Sequence, residues 1–205
     1  MNQSASFLPL LFAQLSVADP SSLQGTNDPW FLTTSVFHHK LTFDYETDLL
    51  EETTSEKILS PAIGFGLRMD RQLSLITEAS LGRLEYRSYG SGDVYNFAKF
   101  NYDYGVLSCR AELNLEVAPG ISIAPTIGVG YTKADYKWII DDLTFSEDDN
   151  GEMWIGGITL SFQIEENAWL QVGYRYQGFE FRSTEVYGPT DVEHQGILIN
   201  VNWEF

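Results

Sequence analysis

Gly196-Ile197-Leu198-Ile199-Asn200-Val201-Asn202-Trp203-Glu204-Phe205 closes the chain. Successive side chains of a strand point to opposite faces. One face here carries Ile197, Ile199, Val201, Trp203 and Phe205; the other carries Gly196, Leu198, Asn200, Asn202 and Glu204. A strand from a soluble sandwich can look the same. What gives this segment its meaning is that the chain before it repeats the pattern, apolar on one face and small or polar on the other.

Composition narrows the choice. The 205 residues are 43% hydrophobic, 14% aromatic and 20% charged, which suits a folded chain rather than a disordered one. No apolar run reaches the roughly 18 residues that a membrane helix needs. A transmembrane barrel escapes that criterion, because half of each strand faces a polar interior. A formal net charge of -17 opposes binding to nucleic acid, whose phosphates it would repel. Cys109 is the single cysteine, so there is neither an intrachain disulfide nor a CxxC zinc site. No cofactor is expected.

Residues 1–29 read as a separate N-terminal segment. Within it, Phe7-Leu8-Pro9-Leu10-Leu11-Phe12-Ala13-Gln14-Leu15-Ser16-Val17-Ala18 has the length and small-residue end of a signal peptide covering 1–18, but no basic residue precedes it. The other reading is a retained periplasmic tail. Residues 19–29 are rich in turn formers and read as a linker.

Residues 30–205 divide into eight predicted strands: 30–46, 58–69, 72–87, 97–117, 121–138, 152–164, 168–182 and the closing segment. Short turns near residues 70–71, 118–120 and 165–167 alternate with longer connections near 46–56, 88–96, 139–151 and 183–193. Short turns at one end and long loops at the other predict an all-β, eight-stranded antiparallel up-and-down transmembrane barrel, with periplasmic turns and extracellular loops. Phe100, Tyr102 and Tyr104 have the opposite parity to Leu107 and Cys109, which predicts a bulge near Gly105 if all of them face outward. Trp30, Trp169, Trp203 and Phe205 at the turn end, with Trp138, Trp154, Tyr174 and Tyr176 at the loop end, are candidate membrane-interface aromatics.

The closing segment, together with Gly173-Tyr174-Arg175-Tyr176 followed by Phe179 and Phe181, resembles the small eight-stranded outer-membrane barrels of OmpA and opacity-protein type. The C-terminal Phe with its alternating apolar face is the specific part; elsewhere the similarity is one of pattern. The resemblance implies a Gram-negative outer-membrane location in contact with outer-membrane lipid. It also implies a signal peptide, a periplasmic route, and insertion by the barrel assembly machinery through the C-terminal strand.

Chemistry concentrates in two places. Arg68, Glu78, Arg110, Glu112 and Arg175 fall at inward positions and form a candidate lumen charge network. An eight-stranded interior is only wide enough to be filled by side chains, and buried charges must be paired. Inward glycines at 64, 66, 128, 130 and 157 leave room for the long residues. The loops carry Glu51, Glu52, Asp141, Asp142, Asp148 and Asp149, candidates for weak divalent-cation or partner contact, although no calcium-loop spacing is met and no metal site is assigned. His38 and His39 point to opposite faces, and no serine is placed against His194 beside a carboxylate, so the pattern for nucleophilic catalysis is missing. The expectation is a non-enzymatic, surface-exposed barrel with a charged, plugged lumen and an unidentified extracellular ligand. A narrow pore for ions or small solutes is the alternative. A soluble lipocalin-like barrel is the second, and it would reverse the two faces.

Overall fold

The computed structural model describes residues 30–47, 50–70, 72–88, 98–181 and 190–205, so the N-terminal segment and its signal-peptide reading lie outside it. The described chain is strand almost throughout: β1 (Trp30–Thr47), β2 (Leu50–Arg68), β3 (Leu73–Ser88), β4 (Ala98–Leu113), β5 (Leu115–Ala118), β6 (Ile121–Ile140), β7 (Leu143–Glu165), β8 (Ala168–Phe181) and β9 (Thr190–Glu204). The sheet runs β4-β3-β2-β1-β9-β8-β7-β6-β5, and β4 also pairs with β6, which closes the ring. β5 continues the line of β4 past Asn114 in the same register against β6, so nine segments fill eight places. All neighbours are antiparallel.

Alternation sets which way each side chain points. Leu59, Ile63, Phe65, Leu81, Leu107, Ile127, Ile158, Ile197 and Ile199 are exposed on the outer wall, while Ser60, Ser74, Ser108, Ser122, Ser161, Gln171 and Asn200 are buried within. In water such a belt of aliphatic side chains would be an unusually large apolar patch; in lipid it is the required surface. A lipocalin-like barrel needs the opposite arrangement, so that alternative falls.

The turn end is tight. The Asp70 carboxylate accepts the backbone N–H groups of Gln72 and Leu73 at 2.7 Å, and Gly120 takes a positive φ of 73° before β6. The other end differs from expectation. The stretches 46–56 and 139–151 are not loops: β1 and β2 pair out to Thr47↔Leu50, and β6 and β7 out to Ile140↔Leu143. Their acidic residues read as loop because Asp, Asn and Gly disfavour strands, yet a paired ladder solvated on its outside tolerates them. Asp141 makes the turn with φ at 51°, a left-handed conformation that Asp tolerates.

The predicted bulge near Gly105 is also absent. Pairing of β4 with β6 runs unbroken through Tyr104↔Ala134, Gly105↔Lys133 and Val106↔Thr132. Tyr102 and Tyr104 therefore share the inward face with Ser108 and Arg110, and they are buried. A register shift does occur farther down, between Glu116 and Ala118, and another between Gln163 and Glu165.

β2 and β3 pair only from Ala62↔Ser80 to Arg68↔Ser74, and β7 and β8 only from Met153↔Phe179 downward. Pro61, which has no N–H to donate, stands where the β2–β3 ladder stops. Above that level the wall is two sheets, β8-β9-β1-β2 and β3-β4-β6-β7, which clasp a core of Leu41, Ile58, Leu84, Tyr102, Tyr104, Val106, Ala134, Tyr136, Met153, Ile155, Phe179 and Val192.

Candidate functional site

The middle of the lumen is a compact charge cluster. The Glu78 carboxylate, on β3, accepts from Arg110 Nη1 on β4 through Oε2 and from Arg175 Nη1 on β8 through Oε1, both at 2.7 Å. Ser35 Oγ donates to the same carboxylate at 3.2 Å. Arg110 Nε also reaches Glu112 Oε1 at 3.1 Å. The two cations and two anions balance, and all four side chains are almost wholly buried, between 1% and 3% exposed. Polar side chains extend the cluster downward. Gln171 Nε2 bridges Glu112 at 3.3 Å and Ser161 at 3.0 Å, Asn200 Nδ2 donates to Gln171 Oε1 at 2.6 Å, and Asn200 Oδ1 accepts from Thr33 Oγ1.

The backbone makes room for it. Glu78 lies opposite Gly64, Arg110 opposite Gly128, and Arg175 opposite both Gly157 and Gly196. A Cβ at Gly128 would sit 2.6 Å from the Cys109 carbonyl oxygen and 2.7 Å from Arg110 Cβ, a contact that backbone cannot yield. Each of these three long charged side chains thus leaves a strand with a glycine beside it at that height, whereas Glu112 lies between Ser74 and Thr126.

The structure brings Glu78, Arg110, Glu112 and Arg175 together but places Arg68 elsewhere. Arg68 is lower, at the turn end, in an ion pair with Glu204 at 2.5 Å. It lines a cavity of about 330 Å³ with Phe31, Ser74, Glu112, Asn114 and Trp169. Trp169 is therefore not a lipid-facing aromatic: it is in phase with Gln171 and Arg175 and faces Asn202 across the ladder. Trp30, Trp154, Trp203 and Phe205 are exposed on the outer wall. The side chain of Trp138 lies outside the described residues. Trp154 stacks on Tyr176 with centroids 4.7 Å apart, and Tyr176 donates to Glu193.

Above the charge cluster comes a layer that sequence reasoning missed. His39 and His194 stack with ring centroids 4.6 Å apart and 15° between planes. His39 bonds Tyr104 Oη through Nε2 at 3.1 Å and the Phe37 carbonyl through Nδ1 at 3.1 Å, and Tyr104 Oη meets Ser60 Oγ at 2.6 Å. His194 is fully buried, edge-on to Tyr104 and Phe179, and neither ring nitrogen has a hydrogen-bond partner. Phe37 stacks on His39 and lies 5.7 Å from the Arg175 guanidinium carbon. The available signal was parity: Phe37, His39 and Leu41 alternate in phase with Thr33 and Ser35.

The acidic residues divide. Asp141 and Asp142 form an exposed turn, and Asp148 and Asp149 lie on β7 opposite Asp135 and Ala134. Glu51 and Glu52 lie on β2, with side chains outside the described residues. Among the described residues no group of three or more His, Cys, Asp or Glu side chains is placed to hold a metal ion. Farther round the rim Glu85 bonds Lys99 and Arg87, which hold its carboxyl below the usual range.

A closed eight-place ring with an aliphatic outer belt and a polar lumen decides the architecture. A family model described as outer membrane protein beta-barrel domain matches residues 5–205. The chain belongs to that family. It is a Gram-negative outer-membrane barrel, and its surroundings are membrane lipid. Two solved structures share the fold. Neisserial surface protein A is 14% identical, with a TM-score of 0.54 over 87% of this chain and 98% of its own. Ail, the attachment invasion locus protein of Yersinia pestis, is 11% identical, with a TM-score of 0.51 over 85% and 98%. No curated protein sequence matches the chain significantly.

Proposed function

We propose that this outer-membrane barrel is a non-enzymatic, non-conducting anchor that presents its acidic strand extensions to a partner outside the cell. The observation that carries the reading is the filled lumen. A neutral Arg–Glu cluster, a histidine–tyrosine layer and an aromatic core follow one another from the middle to the outer end, all buried. The outer hairpins continue as paired ladders beyond the lipid belt, so a partner would meet a preformed surface rather than a loop that must be ordered first. The acidic residues 51, 52, 141, 142, 148 and 149 favour a basic contact or a weakly held divalent cation. The exposed apolar face ending in Phe205 supports recognition of β9 by the barrel assembly machinery.

Planar-bilayer recording tests the closed lumen. The wild-type protein is expected to give no discrete steps, and Arg110→Ala is expected to lose stability while the histidine–tyrosine layer and the aromatic core above it keep the lumen shut. Steps from the wild-type protein would restore the narrow-pore reading. A barrel whose stability and conductance are both unaltered by Arg110→Ala would remove the plug.

A further inference from the structure

The outer wall carries a charge arrangement that neither the lumen nor the acidic hairpins explain. Lys40 on β1 and Lys57 on β2 stand directly opposite each other in register. Both point outward and are exposed, immediately above the lipid belt formed by Leu59, Ile63 and Phe65. Like charges at opposed positions of a ladder repel. A chain with a net charge of -17 has carboxylates to spare, yet neither lysine pairs with one among the described residues. Two outward acids that flank them are engaged elsewhere: Glu193 accepts from Tyr176, and Glu85 holds Lys99 and Arg87. Gln195, in register with Lys40, accepts from Tyr174.

The surroundings say what anion would fit. Above Ala62, β2 has no ladder to β3, so Lys57 borders the gap between the two upper sheets. The walls of that gap at belt height are Leu59 and Leu81, 61% and 68% exposed. Two ammonium groups at the membrane surface, above a greasy groove, match a molecule with a phosphate at its head and acyl chains below. We propose that Lys40 and Lys57 seat the phosphate of an anionic lipid in the outer leaflet, its acyl chains lying along Leu59, Ile63 and Leu81. The site neutralises a repulsion that the protein alone leaves in place. It rests on the outer-membrane location and is independent of whether the lumen is closed.

The test is native mass spectrometry of the full barrel in zwitterionic detergent, with three probes: bis-phosphorylated lipid A, the same lipid without its phosphates, and inorganic phosphate. The wild-type protein is expected to retain one bis-phosphorylated lipid A. The Lys40→Gln/Lys57→Gln double variant is expected to bind it about tenfold more weakly, the loss of two solvent-exposed charge contacts. Lys133→Gln/Lys137→Gln, which removes two outward cations from β6, is expected to stay within about twofold of wild type. Removing the repulsion should also raise the temperature at which the double variant loses its folded gel mobility in lipid-free detergent, while added lipid A raises it only for the wild type. If the double variant fails to fold, Lys57→Gln alone serves, with a smaller drop. Equal retention by wild type and double variant, or by phosphorylated and phosphate-free lipid, would overturn the proposal. Displacement of lipid A by an equal concentration of inorganic phosphate would overturn it too, by showing a site for the free ion.

Discussion

Glu78→Ala removes the one carboxylate that serves both buried arginines. Arg110 would keep Glu112 at 3.1 Å, but Arg175 would lose the only carboxylate it touches among the described residues and retain the Phe37 ring at 5.7 Å. An uncompensated guanidinium would then be sealed at 3% exposure beneath the histidine layer. Breaking a buried pair by deleting one partner costs about 3–5 kcal/mol, most of it the unpaid desolvation of the charge left behind. That is a shift of roughly two to three and a half powers of ten in the folding equilibrium. Glu112→Gln is the internal control: it keeps an acceptor for Arg110 and touches no group that depends on it alone, so its loss should fall well below that of Glu78→Ala. Both are measured by urea-driven unfolding from lipid vesicles, with tryptophan emission and heat-modifiable gel mobility as separate probes. A Glu78→Ala barrel destabilised by less than about 1 kcal/mol, the size of an exposed pair, would show that Arg175 is solvated and the cluster is not sealed.

Gly128→Val places a branched side chain where a Cβ alone lies 2.6 Å from the Cys109 carbonyl oxygen and 2.7 Å from Arg110 Cβ. Overpacking of this kind costs about 1–3 kcal/mol, read as a lower urea midpoint, and an unchanged midpoint would mean that Arg110 does not lie across this glycine. His194→Phe should act in the other direction. It removes two buried ring nitrogens that have no partner and keeps the ring among Tyr104, Phe179 and His39, so a gain of about 1–2 kcal/mol is expected in the same assay. A loss instead would mean that those nitrogens bind water in the membrane.

The lower half of this barrel was legible because a single rule governs it. Below about the level of Ala62 most outward positions are apolar and most inward ones small, polar or charged, with Phe31, Ile76 and Leu198 as buried exceptions, so alternation alone identified Glu78, Arg110 and Arg175 as inward, and the glycines beside them as the space they occupy. Trp169 was set at the right end but on the wrong face, although its phase with Gln171 and Arg175 turns it inward. The rule said nothing about height, and this is where Arg68 went astray: it is inward, but it stands at the turn end, where the lumen opens into a cavity instead of closing on itself. Sequence separation along one strand does not show how far a residue sits from a charge three strands away, because the stagger of the barrel intervenes.

The upper half broke the rule, since aromatic residues serve equally in a membrane-interface belt and in a core. Reading Tyr102 and Tyr104 as belt residues forced an imaginary bulge at Gly105, whereas keeping the alternation intact would have turned them inward. Gly82 supplied the deciding clue. It lies opposite Tyr104, and a Cβ there would collide with the tyrosine ring, so that glycine is the mark of a large residue on the inside face. The same logic reaches the histidines: Gly196 lies opposite His39 as Gly128 lies opposite Arg110. The inward glycines among these therefore record where the lumen is fullest. An outer half filled in this way needs no plug borrowed from a loop, since the two sheets above Pro61 close on each other through their own side chains.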